Sequence, residues 1–547
     1  MNKKYLLLLA TLICAAFLRF YQLGQNPPSL TWDEAAWGYN AYSIGIDGRD
    51  EFGRFLPLDY LESFGDFKPP AYAYLDVIPV KIFGLNEFAV RFPSAFLGVL
   101  TVLLTYFLTK RIFWQSERKN LYGLTSAFIL AISPWHIMLS RAAFEANVAT
   151  FFIVLGVLLF LWAVQKNMWI LLLSILSFIL SIYTFNTARV VTPILVLMLA
   201  FAFRKELLQR KKEAALAIIL GVILILPTIK FLVSPQASLR FKEVNIFSDI
   251  NVIKTANQEI KNDNDAFWSK LIHNRRLLYS VKYIKHYFDN LSPSFLFIKG
   301  DGNPKFSTQA VGEMYLWDLI FFTAGIFILL RKREGHWWIV PMWLILGIIP
   351  AGTARETPHA LRIEATLPTF QIFTAIGVTT FLYWMKSLAI KKYFKFSIIF
   401  AIFFILFLNF LYFYHDYTKH YAKQFSREWQ YGYRESIDYV AKNYNNYDEI
   451  RVMTALGRPY IYYLFYTKYN PDHFRQTAVV HRDANGFVNV LAYDKLRFIE
   501  KMNTANKSRR KILYISTPDN IPKKSIKLKT FYILNGEPIL VAFTRKI

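Results

Sequence analysis

Long apolar runs, each closed by a charged or aromatic cluster, follow one another from the N-terminus to about residue 415. Wound as helices, runs of roughly 15 to 24 residues match the hydrocarbon thickness of a bilayer. They predict spans at residues 5–20, 92–113, 120–139, 147–164, 167–184, 189–203, 213–233, 314–331, 336–352, 362–385 and 393–414. The expected architecture is therefore an α-helical polytopic membrane protein with eleven to thirteen transmembrane helices. The apolar stretch 71–84 is interrupted by Asp76 and Pro79 and reads as a re-entrant or interfacial helix. At the start, Met1-Asn2-Lys3-Lys4 before an apolar run resembles a signal peptide. No small-residue cleavage site precedes Arg19-Phe20-Tyr21, so the run reads as an uncleaved first span. Beyond Phe425 the pattern changes to the alternation of a soluble domain. Strand-like stretches at 450–453, 511–515 and 538–543 are interleaved with helical patterns at 427–443 and 457–467. The domains expected are a transmembrane domain over 1–415 and a small α/β domain over 416–547.

Composition agrees with that division. Of 547 residues, 54% are hydrophobic and 18% aromatic, more apolar surface than a soluble fold can hide. The formal charge of +26 would suit nucleic acid in a soluble chain, but here the cations crowd the short gaps between apolar runs, as in Arg204-Lys205, Arg210-Lys211-Lys212 and Arg331-Lys332-Arg333. Nucleic acid is therefore not an expected partner, and membrane lipids are. Counted over short loops, nineteen lysines and arginines fall on one side. The other side holds only Arg141, Arg189, Arg355 and Arg362. The positive-inside rule then puts residues 22–91, 234–313 and everything after 415 outside the cytoplasm. The second of these carries turn signals at Pro235, Ser292-Pro293 and Gly300-Asp301-Gly302-Asn303-Pro304, and reads as an ordered loop. A lone cysteine, Cys14, leaves no intramolecular disulfide.

Candidate chemistry sits on the outer face. Thr31-Trp32-Asp33-Glu34 places two adjacent carboxylates after the first span. It is equally a capping box, with Thr31 and Glu34 three apart. Lys68 precedes Pro69-Pro70, whose stiff backbone suits a lysine held against a phosphate; a snorkelling lysine is the plainer alternative. Arg141 and Glu145 are spaced to share one helical face as an ion pair. Arg189 and Arg362 stand at further outer span ends, where either headgroups or a bound phosphate would meet them, and His359 reads as an interfacial hydrogen-bonding residue. Guanidinium groups grip phosphate oxygens in pairs, so Arg141, Arg189 and Arg362 with Lys68 are candidate phosphate ligands.

These residues resemble a known group. Thr31 to Glu34, Lys68-Pro69-Pro70, Arg91-Phe92-Pro93-Ser94, Ser133-Pro134-Trp135-His136, Tyr183-Thr184-Phe185 with Ala188-Arg189, and His359 to Arg362 together resemble the bacterial polyprenol-phosphate-sugar-dependent glycosyltransferases of the GT-C superfold. That group, glycosyltransferase family 39, includes protein O-mannosyltransferases and the aminoarabinose transferases of lipid A. The resemblance covers residues 1 to about 415. It implies inverting sugar transfer from a polyprenyl-phosphate donor to a lipid, protein or wall-polymer acceptor at the outer face of the bacterial cytoplasmic membrane. It assigns Asp33 as the catalytic carboxylate, Glu34 as the residue that orients it or the acceptor, Lys68 as donor-phosphate ligand, and Glu145 as a supporting acid. No cofactor or metal ligand is implied. A divalent cation is the one candidate, and against it Phe67 stands where the aminoarabinose enzymes tend to carry an acid. A transporter or flippase of lipid-linked sugars is the alternative, though no inverted repeat is visible.

Overall fold

The computed structural model describes residues 3–234, 237, 245–482, 488–501 and 510–545, so Met1, Asn2 and the turn expected at Pro235 lie outside the described residues. The chain divides into two compact units. One comprises Met1–Arg19, Leu97–Ser140 and Glu145–Phe413; the other comprises Phe20–Phe96, Arg141–Phe144 and Tyr414–Ile547.

The first unit is helical. A helix lies at each stretch where the apolar runs predict a span, but length and apolarity vary. Among the described residues, four helices are long and apolar enough to cross a membrane: Glu87–Ile112, Glu145–Gln165, Lys211–Leu232 and Lys392–Phe425. Two bent pairs bring the number to six if each counts as one span: Lys119–Ile132 with Pro134–Arg141, bent by 57°, and Ala360–Thr366 with Thr369–Ser387, bent by 62°. Proline explains the first bend: Pro134 lacks an N–H and clashes with a continuing helix, so Ser133 turns extended. Helices Asp318–Lys332 and Thr369–Ser387 meet backbone to backbone. A Cβ added to Gly325 would lie 1.8 Å from the Phe373 carbonyl oxygen, and one on Gly377 2.0 Å from that of Phe321. Small residues permit such close approach where lipid supplies no hydrophobic drive.

The segment between helices Lys211–Leu232 and Asp318–Lys332 is ordered over its described residues. Amphipathic helices Ile250–Asn262 and Arg275–Asp289 carry it. Segment 353–360 is stitched to it by side chains: Thr357 Oγ1 donates to Asp289 at 3.0 Å, His359 N to Asn290 Oδ1 at 2.9 Å, and Ala360 N to Asp301 Oδ2 at 2.7 Å. The expected turn at Gly300 is present, with φ +76°.

The second unit joins the first loop to the C-terminal sheet. In the loop, helix Trp32–Asp47 is followed by a hairpin of β1 (Leu61–Ser63) and β2 (Asp66–Lys68) and by helix Ala71–Phe83. The C-terminal part holds β3 (Glu449–Met453), β4 (Val479–Arg482), β5 (Val488–Tyr493), β6 (Leu496–Ile499), β7 (Ile512–Ser516), β8 (Ser525–Tyr532) and β9 (Pro538–Arg545). Among the described residues these form one mixed sheet in the order β4-β5-β6-β3-β7-β9-β8, with β3 parallel to both neighbours. Helix Pro459–Tyr466 packs on helix Trp32–Asp47 through Gly38. A Cβ there would fall 2.6 Å from the Phe465 ring and 2.5 Å from Val90.

Candidate active site

Helix Trp32–Asp47 begins with the capping box read from the sequence. Glu34 N donates to Thr31 Oγ1 at 3.2 Å, and Thr31 N donates back to Glu34 Oε2 at 2.9 Å. The cap is only part of what Glu34 does. Fully buried, it also accepts from Arg91 Nε at 2.9 Å and from Ala143 N at 3.0 Å. Arg91, equally buried, reaches on to the carbonyl oxygens of Leu23 at 3.1 Å, Pro27 at 2.8 Å and Ser29 at 2.5 Å. One buried ion pair thus ties the helix start to the segment that precedes it, its remaining hydrogens matched by carbonyls as burial requires.

Asp33, on the next residue, points differently. Its side chain is 50% exposed and pairs with the Lys68 ammonium, which is nearly buried. Lys68 ends β2, opposite Leu61 in the hairpin, and Pro69-Pro70 follow it. Its Nζ lies 5.0 Å from the Trp37 ring and 5.2 Å from the Phe64 ring, so two aromatic faces and a strand end fix the cation. Phe67 packs edge-on to Tyr60 in the hairpin's core, ring centroids 5.1 Å apart. Among the described residues no three or more His, Cys, Asp or Glu side chains gather as for a metal ion.

Behind this pair lies a buried acidic layer that the motifs did not point to. Glu51 is fully buried and accepts from Tyr460 OH at 3.1 Å, while its backbone N donates to Asn40 Oδ1 at 3.0 Å. Burial pushes its carboxyl well above the usual range, with Asp50 adding to the rise and Tyr460 and Lys68 opposing it. Nothing local distinguishes Glu51 in the sequence; only the tertiary contact with Tyr460, 409 residues away, makes it an interior group.

The remaining expected residues divide between the units. Arg141 belongs to the second, where Nη2 donates to the carbonyls of Tyr21 and Asn26 at 2.8 Å each and Nε to Tyr417 OH at 3.2 Å. It staples a turn of the same unit. The helix carrying it ends at Arg141 and the next begins at Glu145, so the shared helical face expected of the two is not formed, because residues 142–144 leave helical geometry. In the first unit, Arg189 stands at the start of helix Ala188–Ala202 with its guanidinium 5.1 Å from the Phe231 ring. Arg362 lies three residues after His359. Burial first, then Arg362, push the His359 imidazole down to about 3, so it is neutral at physiological pH and its 3.7 Å approach to Asp301 is not an ion pair. Burial pushes Asp301 up to about 6. Glu364, fully buried in the same segment, has no hydrogen-bond partner on either carboxylate oxygen among the described residues. Its signal in the sequence was a carboxylate inside an apolar run.

Residues 9–234 match the family model described as dolichyl-phosphate-mannose-protein mannosyltransferase. Of the motifs that carry the resemblance, those from Thr31 to Arg189 lie inside the matched residues, and His359 to Arg362 lies beyond them. An uncharacterized protein of Aquifex aeolicus (strain VF5) is 34% identical over 221 residues, 39% of this chain and 41% of that one. The provisionally named mannosyltransferase YkcB of Bacillus subtilis (strain 168) is 26% identical over 233 residues, 41% of this chain and 30% of its own. These matches span less than half the length of either relative. Among solved structures, ArnT from Cupriavidus metallidurans bound to undecaprenyl phosphate aligns with a TM-score of 0.54 at 11% identity, covering 99% of this chain and 98% of that one. The Archaeoglobus fulgidus oligosaccharyltransferase tethered with an acceptor peptide aligns with a TM-score of 0.52 at 15% identity, over 85% of this chain and 63% of that one. At such identities the likeness is one of fold alone.

Proposed function

We propose that this protein is an inverting glycosyltransferase that moves a sugar from a polyprenyl-phosphate donor to an acceptor hydroxyl at the outer face of the cytoplasmic membrane. The observation that carries the reading is the contrast between neighbours: Glu34 is locked in a buried ion pair, while Asp33 keeps half its side chain exposed beside a rigid lysine. In the reaction the acceptor oxygen forms a bond to the anomeric carbon as the bond from that carbon to the phosphate oxygen breaks. The acceptor's proton goes to Asp33 and the polyprenyl phosphate departs with the bonding electrons. Lys68 meets the charge that develops on the leaving phosphate. Phosphate is a good leaving group, so no acid is needed there. Arg189 and Arg362 are assigned as further donor-phosphate ligands and Glu145 and His359 as supporting residues. Arg141 and Arg91 act through the loop segments they hold. The eleven-span topology, with the C-terminal domain outside the cytoplasm, belongs to the same reading and rests on the charge bias of the short loops.

Purified protein given a radiolabelled polyprenyl-phosphate sugar and a membrane extract as acceptor source tests it. Release of free polyprenyl phosphate together with label in a product of inverted anomeric configuration is the expected result. Donor that crosses a vesicle membrane intact, with no release, would mark a flippase instead.

A further inference from the structure

The second unit contains a cavity of about 380 Å³ beside Trp32, the residue immediately before Asp33, and its other walls come from the C-terminal part of the chain, between Thr454 and Glu500. The polar groups that line it include Arg458, Asn489 and Glu500, and the apolar ones Trp32, Tyr460 and Phe498. Its volume lies in the range of small-molecule sites, about 300–1,000 Å³. Two features set it apart from an incidental hollow. Gly457 closes against the Trp32 indole so tightly that an added Cβ would lie 2.8 Å from two ring carbons, and its φ of +112° is one that side-chain-bearing residues avoid. The tryptophan is thereby held as a fixed aromatic wall. Arg458 is half-buried and stacks on Phe64 at 4.9 Å, yet among the described residues its guanidinium makes no hydrogen bond or ion pair. The opposite charge, Glu500, is exposed and screened by water, so the partly buried cation dominates the cavity's electrostatics. Phe64 is also the ring that Lys68 sits against, so Arg458 and Lys68 share one aromatic neighbour.

We infer that the cavity beside Trp32 binds a saccharide bearing an anionic group, the anion on Arg458 and the sugar ring against the aromatic wall. Resting on the transferase reading, this is the subsite for the acceptor, since the wall residue Trp32 directly precedes Asp33. Aromatic faces recognise the C–H face of a sugar, and a guanidinium selects phosphate or carboxylate over neutral hydroxyls.

Calorimetry of the full-length protein in phosphatidylcholine nanodiscs, titrated with glucose 6-phosphate, glucuronate and glucose, tests the assignment. At least one anionic sugar is expected to bind at least tenfold more tightly than glucose, and which one binds names the anionic group. Losing one charge-assisted hydrogen bond should cost Arg458→Gln about tenfold in that affinity, with part restored in Arg458→Lys. Glu500→Gln, which removes the competing charge without touching the fold's interior, should tighten binding. No binding of any probe, equal binding of glucose, or unchanged affinity in Arg458→Gln overturns the site. Because the readout is binding, the two readings fail separately. Arg458-dependent binding in a protein that never releases polyprenyl phosphate leaves a saccharide site without transfer, whereas release without binding leaves transfer without this site.

Discussion

Asp33 and Glu34 are the same chemistry one residue apart, and the structure gives them opposite surroundings. Removing a general base typically costs 10²–10⁴-fold in rate. Asp33→Asn should therefore lower polyprenyl-phosphate release per folded molecule by about 10²-fold or more, with the folded fraction read from a melt in detergent. Wild-type turnover in that variant would remove the base assignment. Glu34→Gln should behave in the reverse sense. It leaves Arg91 as an uncompensated buried cation, a change worth about 3–5 kcal/mol. A thermal melt should register a large loss of stability, with activity falling only as folded protein is lost. If Glu34→Gln melts like wild type, the ion pair is not what holds the helix start. That Glu34 would be the cap was legible in the sequence, since Thr31 and Glu34 have capping spacing. That it would also be the counter-ion of Arg91, 57 residues away, was not, because sequence patterns report only local neighbours.

Elements in this protein are joined at points where side chains are small or shared. The Gly325–Gly377 contact leaves no room for a methyl group, so Gly377→Val should push helices Asp318–Lys332 and Thr369–Ser387 apart. Overpacking of this kind costs about 1–3 kcal/mol, read as a lowered melting temperature; an unaltered melt would contradict the backbone contact. The outer loop offers a pH-dependent joint. Asp301 has a folded value raised to about 6 from 3.8, so between these limits the folded state retains a proton that the unfolded chain has released. Its contribution to stability is complete below about pH 4 and is lost as pH rises through 6. Neutral His359 acts in the opposite direction below its ordinary value, since it resists a proton that the unfolded chain accepts. Asp301→Asn removes the first effect alone. Its stability relative to wild type should thus rise between pH 4 and 6 and level off above, which melts across that range would show. A constant difference would place Asp301 in water. Strand β8 is one the sequence pattern did not single out: Lys527 and Lys529 alternate with Ile526 and Leu528, all four are exposed, and charges of this kind suit an edge strand that must not pair further.

At the scale of the whole molecule, topology is open to direct test. Cys14 is the sole cysteine, so in a Cys14→Ser background single cysteines at Lys524 and Lys205, both exposed, report their sides. An impermeant maleimide added to intact spheroplasts should label Lys524→Cys and spare Lys205→Cys; the reverse pattern would invert the assigned orientation. The chain alone determined a great deal here. Apolar runs long enough for a bilayer and cations crowded on one set of loops mark a polytopic membrane protein, because span length and loop charge are properties of contiguous residues, and the Thr31-to-Glu34 and Lys68-Pro69-Pro70 motifs carry the resemblance to GT-C glycosyltransferases. Tertiary structure alone decided which carboxylate stays half-exposed beside Lys68 and which is buried against Arg91, that the first loop and the C-terminal sheet form one compact unit, and that Arg458 lines a cavity beside Trp32. Each of those depends on residues tens to hundreds of positions apart, whose burial and pairing arise only when the folded chain brings them together.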